Sequence, residues 1–216
     1  EILIGLVGSE MCIRDRDGTI WDATEVVART WTHYVKEHTQ LNTVITAPML
    51  KSLFGQLLPD ISRQLFPSLS QEDQLKLIDI LCKKEHEALK KEGAPVYENM
   101  EEVLKELSGR FPLFIVSNCQ AGYIELVMEK TGFAPMITDY LCPGISGQAK
   151  AENIMTLVKK HHLHAPVYVG DTKGDFEACQ KAGVDFIFAS YGYGTVENPD
   201  SVSYTHLRAH ETDQYL

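Results

Sequence analysis

The sequence predicts an α/β fold in which a parallel sheet is flanked by helices and an all-helical segment is inserted near the N-terminus. Beyond about residue 95, short apolar runs alternate with helical patterns and short turns, which is typical of parallel β-α-β units. Between about residues 21 and 93 the apolar residues recur at helical spacing, and no convincing strand occurs. Such a fold binds ligands at the carboxyl ends of its strands, so polar residues that directly follow the apolar runs form the candidate site.

The inserted segment is predicted to contain three helices. Helical spacing of apolar residues predicts the first over residues 23–38. Prolines bound the second, over residues 48–58. A capping box of Ser70 and Asp73 begins the third, which runs to about residue 91. The apolar face predicted for this third helix comprises Leu75, Ile78, Leu81 and Cys82.

The remaining elements alternate between strand and helix. The predicted strands cover residues 113–116, 137–141, 166–169 and 185–189, and the predicted helices cover residues 100–107, 123–130, 151–161 and 176–182.

Composition and charge limit the class of partner. The chain has 216 residues, of which 44% are hydrophobic and 23% are charged, as in ordinary globular proteins. Its formal net charge of -10 argues against binding of nucleic acid or of an anionic membrane, because both require a basic surface. The apolar run at residues 2–7 is too short to span a bilayer. The cysteines show no metal-ligand spacing, so we expect reduced thiols and a cytoplasmic location.

Two aspartates at alternate positions, Asp15 and Asp17, stand where a strand is expected to end. One carboxylate can attack phosphorus and form an aspartyl-phosphate, and the other can act as general acid and then as base. Gly18 allows a sharp turn of the backbone, and Thr19 supplies a hydroxyl group. Taken alone, the two aspartates favour the simpler interpretation of a solvated acidic turn.

Three further candidates follow predicted strands or open a helix. Ser117 and Asn118 directly follow the apolar run 113–116, where a hydroxyl and backbone N–H groups can hold a phosphate, although a serine there can also start a helix. Lys150 opens a predicted helix, where its charge opposes the macrodipole. It is therefore either a solvated lysine or a cation kept for a nearby anion.

A second pair of carboxylates, Asp171 and Asp175, follows the apolar run 166–169 at the entrance to a helix. Asp171 can bind Mg²⁺ through oxygen, the ligand atom that this hard cation prefers. Asp175 can bind the metal or orient its water shell. N-capping of the following helix is a fair alternative for Asp175 and a poorer one for Asp171.

Together and in this order, the four sets resemble the motifs of the haloacid dehalogenase superfamily: Asp-x-Asp-Gly-Thr, a serine or threonine after a strand, a lysine, and Gly-Asp-x-x-x-Asp. The resemblance covers about residues 15–198 and places the chain near the phosphoglycolate-phosphatase-like branch. It implies a Rossmann-like core over residues 11–20 and 95–200, with a helical C1 cap over residues 21–94.

The resemblance also implies an activity and its residues. We expect a monomeric, Mg²⁺-dependent phosphatase that acts on a small phosphorylated metabolite. Asp15 is implied to attack the phosphoryl group, and Asp17 to protonate the leaving alcohol and then activate water. The residues implied to hold the phosphate are Thr19, Ser117, Asn118 and Lys150, and those implied to hold Mg²⁺ are Asp15, Asp17, Asp171 and Asp175.

Two other functions fit the same residues. A phosphomutase of the β-phosphoglucomutase type resembles this chain in the same four motifs. A catalytically inactive binding protein of this fold is the alternative from another class, and the complete set of acidic residues argues against it.

The two ends of the chain are related through the genetic code. Residues 202–207 can be encoded by GTC TCT TAT ACA CAT CTC, and the reverse complement of that sequence encodes residues 10–15. Such an inverted pair resembles the transposon-end adapter of sequencing libraries. We therefore predict that residues 1–10 and 201–216 are non-native tails and that the codons of residues 10–16, including that of Asp15, derive from adapter.

Genomic sequencing tests this prediction. Reads that cross the codons for Asp17 and Ser201 should diverge from the present sequence on the outer side of each codon. Reads that continue into the same codons would establish a genuine, unusual pair of termini instead.

Overall fold

A parallel five-stranded sheet forms the centre of the molecule. A computed structural model describes the backbone of residues 11–14 and residues 17–194 in full. The strand order is β3-β2-β1-β4-β5, and every neighbouring pair is parallel. The strands are β1 (Met11–Arg14), β2 (Leu113–Val116), β3 (Ile137–Leu141), β4 (Pro166–Gly170) and β5 (Asp185–Phe188). The predicted α/β fold with a parallel core and a helical insertion is confirmed.

The helices fall into two groups along the chain. Those of the insertion between β1 and the rest of the core are α1 (Thr24–His38), α2 (Ala47–Leu53), α3 (Leu58–Leu65) and α4 (Gln71–Glu92). Those of the core are α5 (Met100–Ser108), α6 (Tyr123–Thr131), α7 (Pro143–Ser146), α8 (Lys150–Lys160) and α9 (Lys173–Ala182), with a 3₁₀ turn at Ala134–Met136. No helix in the described part of the chain is both long enough and apolar enough to cross a membrane.

The prediction of one helix over residues 48–58 is wrong, because two helices occupy this region. The first ends at Leu53, and Gly55 then adopts a φ of +91°, which a helix cannot accommodate. Pro59 lies in the first turn of α3 instead of stopping a helix, since a missing N–H costs nothing at that position.

The long helix α4 packs on α1, and its buried face includes Ile78, Leu81 and Cys82 as predicted but not Leu75. Leu75 is 42% exposed, whereas Leu77 is buried. The buried position next to Leu75 belongs to Gln74, whose amide donates hydrogen bonds to the carbonyl groups of Phe66 and Leu69 at 3.0 and 3.2 Å. A polar residue therefore takes an inward position because the preceding loop offers it acceptors.

Both faces of the sheet are covered, as a parallel sheet requires. Leu113 and Ile115 of β2 pack into the larger hydrophobic cluster, which extends into the inserted helices. Phe114 and Val116 belong to a second cluster with α8 and α9. All four residues are buried, so β2 fixes the position of the polar residues that follow it.

The central strand β1 fixes where the first motif enters the site. Its last residue, Arg14, pairs with Ile115 of β2 and with Val169 of β4. The chain therefore leaves β1 between the ends of the two strands that carry the second and fourth motifs. Asp15 and both predicted tails lie outside the described residues.

Candidate active site

The structure brings together three predicted site residues at the carboxyl edge of the sheet. Asp17, Ser117 and Asp171 follow the ends of the neighbouring strands β1, β2 and β4, and all three side chains are buried. Thr19 is also buried and donates a hydrogen bond from Oγ1 to Asp171 Oδ1 at 3.3 Å. The first and fourth motifs are thus joined directly.

The carboxylate of Asp17 is held by an aromatic residue that the sequence analysis did not single out. Trp21 Nε1 donates a hydrogen bond to Asp17 Oδ1 at 3.1 Å, and the indole is fully buried. The backbone turns so that Gly18 N–H donates to Trp21 O at 3.2 Å. The contact could have been predicted from the sequence, because Trp21 follows Asp17 by four residues and a buried indole N–H generally needs an acceptor.

Asp171 occupies a space bounded by two glycines. A Cβ atom on Gly18, whose φ is +78°, would stand 2.0 Å from Asp171 Oδ2. A Cβ atom on Gly192 would stand 2.5 Å from both Asp171 Oδ2 and the carbonyl oxygen of Gly18. The Asp171 carboxylate also accepts a hydrogen bond from the backbone N–H of Tyr193 at 2.7 Å. The close packing of this carboxylate therefore depends on the absence of two side chains.

Lys150 and Asp175 form a buried ion pair, in which the side chains are 3% and 0% exposed. Asp175 Oδ2 also accepts hydrogen bonds from the backbone N–H groups of Asp171 and Thr172 at 3.2 and 2.9 Å. The Thr172 hydroxyl and the Asp175 backbone complete a capping box for α9. These contacts favour the capping role that the sequence left open for Asp175 and explain how a buried lysine is tolerated.

Asn118 connects the core to the inserted helices. Its Nδ2 donates a hydrogen bond to the carbonyl oxygen of Gly55, in the loop between α2 and α3, at 2.8 Å. Its Oδ1 is buried and has no hydrogen-bond partner among the described residues. Asn118 as a phosphate ligand stays a prediction, and the contact shows that its amide nitrogen faces the insertion.

A second connection between the insertion and the core lies at Asp22, which the sequence analysis also missed. Lys51 of α2 pairs with Asp22 Oδ2 at 2.8 Å, and the Tyr193 hydroxyl donates to Asp22 Oδ1 at 2.8 Å. Burial raises the pKa of the Asp22 carboxyl, but hydrogen bonds from Lys51, Thr24 and Tyr193 outweigh burial and leave that pKa below its usual value. Burial also raises the pKa of the Tyr193 phenol, so its hydroxyl stays a donor.

The oxygen atoms at the sheet edge are suited to a hard cation, although the described residues alone do not form a complete site. No group of three or more His, Cys, Asp or Glu side chains within residues 11–14 and 17–194 is arranged to hold a metal ion. Asp17 and Asp171 nevertheless both lie buried at this edge and supply oxygen, the donor atom that Mg²⁺ prefers.

A small cavity lies between the sheet edge and the inserted helices, with a volume of about 30 Å³. This volume is close to the share of one water molecule in the liquid. Residues from the core and from the insertion both line it, among them Asp17, Ser117, Asn118, Phe54 and Glu85.

Comparison with known proteins gives one family and one curated relative. The sequence model of the haloacid dehalogenase-like hydrolase family matches residues 12–189 of this chain. The phosphoglycolate phosphatase of Vibrio parahaemolyticus serotype O3:K6 (strain RIMD 2210633) is 28% identical over 118 residues, which are 50% of this chain and 52% of that protein. The chain thus spans about half the length of this curated relative.

Solved structures share the fold at low sequence identity. A haloacid dehalogenase-like family hydrolase from Streptococcus pneumoniae superposes with a TM-score of 0.77 and 20% identity, covering 94% of this chain and 96% of that one. A subfamily IA hydrolase of the same superfamily from Geobacter sulfurreducens superposes with a TM-score of 0.64 and 16% identity, covering 88% and 92%. These similarities establish the fold.

Replacing Gly18 with alanine should destabilise the protein through a steric clash as well as through backbone strain. Gly132→Ala is the matched control, because Gly132 has a φ of +75° and nothing lies within 4 Å of its Cβ position. We expect a loss of about 1–2 kcal/mol for the control and about 2 kcal/mol more for Gly18→Ala, measured by urea unfolding. Equal losses would mean that Asp171 moves aside without cost.

Replacing Lys51 with methionine should remove a pH-dependent contribution to stability. Because the pKa of Asp22 is lowered in the folded protein, its charged form stabilises the fold above the usual carboxyl value of 3.8, and this contribution disappears as the pH falls through the lowered value. The pair is partly exposed, so we expect a loss of about 0.5 kcal/mol at pH 7.

The loss on Lys51→Met should shrink at about pH 3, when urea unfolding is repeated there. Lys76→Met is the control for general effects of removing a lysine, since Lys76 pairs with Glu72 on an exposed face of α4. A loss that is equal at both pH values would assign Lys51 a packing role rather than an electrostatic one.

Proposed function

We propose that this chain, which belongs to the haloacid dehalogenase-like hydrolase family, is a Mg²⁺-dependent phosphatase of a small phosphorylated metabolite. The observation that carries the proposal is the convergence of Asp17, Ser117 and Asp171 at three adjacent strand ends, all of them buried. Lys150 supports the proposal as well. Its ammonium group is paired with Asp175, which follows Asp171 by about one helical turn. Carboxylates, a hydroxyl and a cation are the groups that phosphoryl transfer uses.

In the proposed reaction an oxygen of Asp15 attacks phosphorus, and the bond between phosphorus and the ester oxygen breaks. Asp17 gives its proton to the departing alkoxide, which leaves as an alcohol. Water then attacks the aspartyl-phosphate while Asp17 accepts one of its protons. Inorganic phosphate leaves, and Asp15 is restored.

The remaining residues bind and position. The Ser117 hydroxyl and the Lys150 ammonium stabilise the phosphoryl oxygens, and Thr19 holds Asp171 in place through its hydrogen bond. Trp21 keeps the Asp17 carboxylate in one orientation.

The carboxylates of Asp15 and Asp171 and the backbone carbonyl of Asp17 are the proposed holders of Mg²⁺, with Asp175 supporting them through the backbone N–H of Asp171. When bound, Mg²⁺ supplies positive charge that offsets the charge of the phosphate and of the carboxylates. The same residues are compatible with a phosphomutase, and product analysis separates the two activities.

We further propose that the protein is a cytoplasmic monomer. The cysteines whose side chains the structure describes are buried thiols, as is typical of a reducing compartment. The monomer rests on family resemblance, and elution of the pure chain as a dimer in size-exclusion chromatography would contradict it.

The direct test is release of p-nitrophenol from p-nitrophenyl phosphate. Activity should disappear with EDTA and return with Mg²⁺. Asp15→Asn should lower kcat by at least about a thousandfold, because an amide cannot form the intermediate. Asp79→Asn, at an exposed ion pair with Lys83 on α4, is the control that should leave kcat unchanged.

Retained turnover in Asp15→Asn would contradict the assigned nucleophile, and absence of turnover in the unmodified chain would contradict the proposed activity. Isomerisation of a sugar phosphate without net release of phosphate would identify a mutase.

A further inference from the structure

We propose that Tyr193 is a positioning residue that couples the contact between the insertion and the core to the position of the Asp171 carboxylate, and thereby to the affinity of the site for a divalent cation. The inference rests on the proposed function, because it takes Asp171 as a holder of Mg²⁺. It adds to the site a residue of the loop after β5, the edge strand next to β4.

The loop after β5 lies directly against Asp171. The backbone N–H of Tyr193 donates a hydrogen bond to Asp171 Oδ2 at 2.7 Å. A Cβ atom on Gly192 would overlap the Asp171 side chain, and a Cβ atom on Gly194 would overlap the Asp171 carbonyl oxygen. Because the loop packs so closely, a shift of Tyr193 moves the donor that holds one oxygen of the carboxylate.

The other oxygen of Asp171 is held by the loop after β1. Thr19 donates a hydrogen bond from Oγ1 to Asp171 Oδ1 at 3.3 Å. Donors on both oxygens thus fix the rotation of the carboxylate, one from the loop after β1 and one from the loop after β5. Hydrogen bonds that orient a metal-binding carboxylate typically change the metal affinity by roughly 10- to 100-fold.

The side chain of the same tyrosine contacts the insertion. Its hydroxyl donates a hydrogen bond at 2.8 Å to Oδ1 of Asp22, which precedes α1. Lys51 Nζ of α2 lies 5.4 Å from the centre of the Tyr193 ring, and the centre of the Phe54 ring, directly after α2, lies 6.2 Å from it. Lys51 also pairs with Asp22 Oδ2, so these four residues form one cluster.

Tyr193 is therefore fixed at both ends, by its peptide nitrogen on Asp171 and by its ring on the insertion. A tyrosine side chain has only two torsions, so a displacement of α2 is passed to the backbone of the loop and is not absorbed by the side chain. Loss of the contacts to the ring should let the loop move and weaken the hydrogen bond to Asp171.

A purely structural role is the alternative for Tyr193. Under that role, loss of its hydroxyl group lowers the free energy of unfolding but leaves the cation affinity of the folded protein unchanged. The measurement is the binding of Mn²⁺, which takes the same oxygen ligands as Mg²⁺, with the free Mn²⁺ determined by electron paramagnetic resonance. Urea unfolding of each variant establishes that the titrated protein is folded.

Tyr193→Phe keeps the ring and the peptide N–H but removes the hydrogen bond to Asp22. We expect the Mn²⁺ affinity to fall by about tenfold, at the low end of the range for groups that orient a metal-binding carboxylate. Tyr140→Phe is the matched control, because this tyrosine also lies beside a carboxylate, that of Glu125, but on the edge strand β3, which β2 and β1 separate from β4. It should leave the affinity unchanged.

Lys51→Met tests the coupling from the side of the insertion. Removal of a positive charge would by itself strengthen the binding of a cation. Loss of the contact with the Tyr193 ring should instead weaken Mn²⁺ binding, by about threefold. The direction of the change therefore separates the coupling from a simple effect of charge.

The inference is overturned if either Tyr193→Phe or Lys51→Met binds Mn²⁺ at least as tightly as the unmodified chain, if Tyr140→Phe loses as much affinity as Tyr193→Phe, or if the unmodified chain binds no Mn²⁺. The titration does not require turnover. The expected order of affinities in a chain that releases no phosphate would support the inference while contradicting the proposed phosphatase, so the two failures are distinguishable.

Discussion

The site depends on the close approach of two loops, the one that carries Gly18 after β1 and the one that carries Asp171 after β4. A Cβ atom at Gly18 would be 2.0 Å from Asp171 Oδ2, so the loops can meet only where the first has no side chain. The approach follows from the sheet, because β1 and β4 are adjacent parallel strands that end at the same edge. Two hydrogen bonds lie next to this contact. One runs from Thr19 to Asp171, and the other runs from Trp21 to Asp17.

The inserted helices complete what the sheet begins. The core supplies the groups that can act on a phosphate. The insertion contacts the core next to them through the hydrogen bonds of Tyr193 with Asp22 and of Asn118 with Gly55. The insertion also contributes Glu85, a carboxylate, to the small cavity that lies between the two. In the proposed phosphatase, the sheet edge fixes the reacting groups, and the insertion surrounds the leaving group.

The sequence was sufficient for the sheet, because buried strands such as Leu113–Val116 are continuous apolar runs, and for the sets of polar residues that follow them. It was not sufficient for the helices around Pro59. A proline can either end one helix or begin the next, and the choice between the two depends on packing. Trp21 was missed as well, because an apolar residue in a core and an indole that holds a carboxylate look alike in one sequence. The sequence also could not predict that Glu85 lines the same cavity as Asp17, because α4 and β1 are distant along the chain.

Asp175 serves two purposes with one carboxylate, since it begins α9 through a capping box and neutralises the buried Lys150. A descendant of this protein that lost its substrate would still need that helix to begin correctly and that lysine to be neutralised. Selection for folding alone would preserve Asp175 in such a descendant. The presence of this aspartate in a relative is therefore weak evidence that the relative is an active enzyme, whereas residues without a folding role, once lost, reveal inactivity.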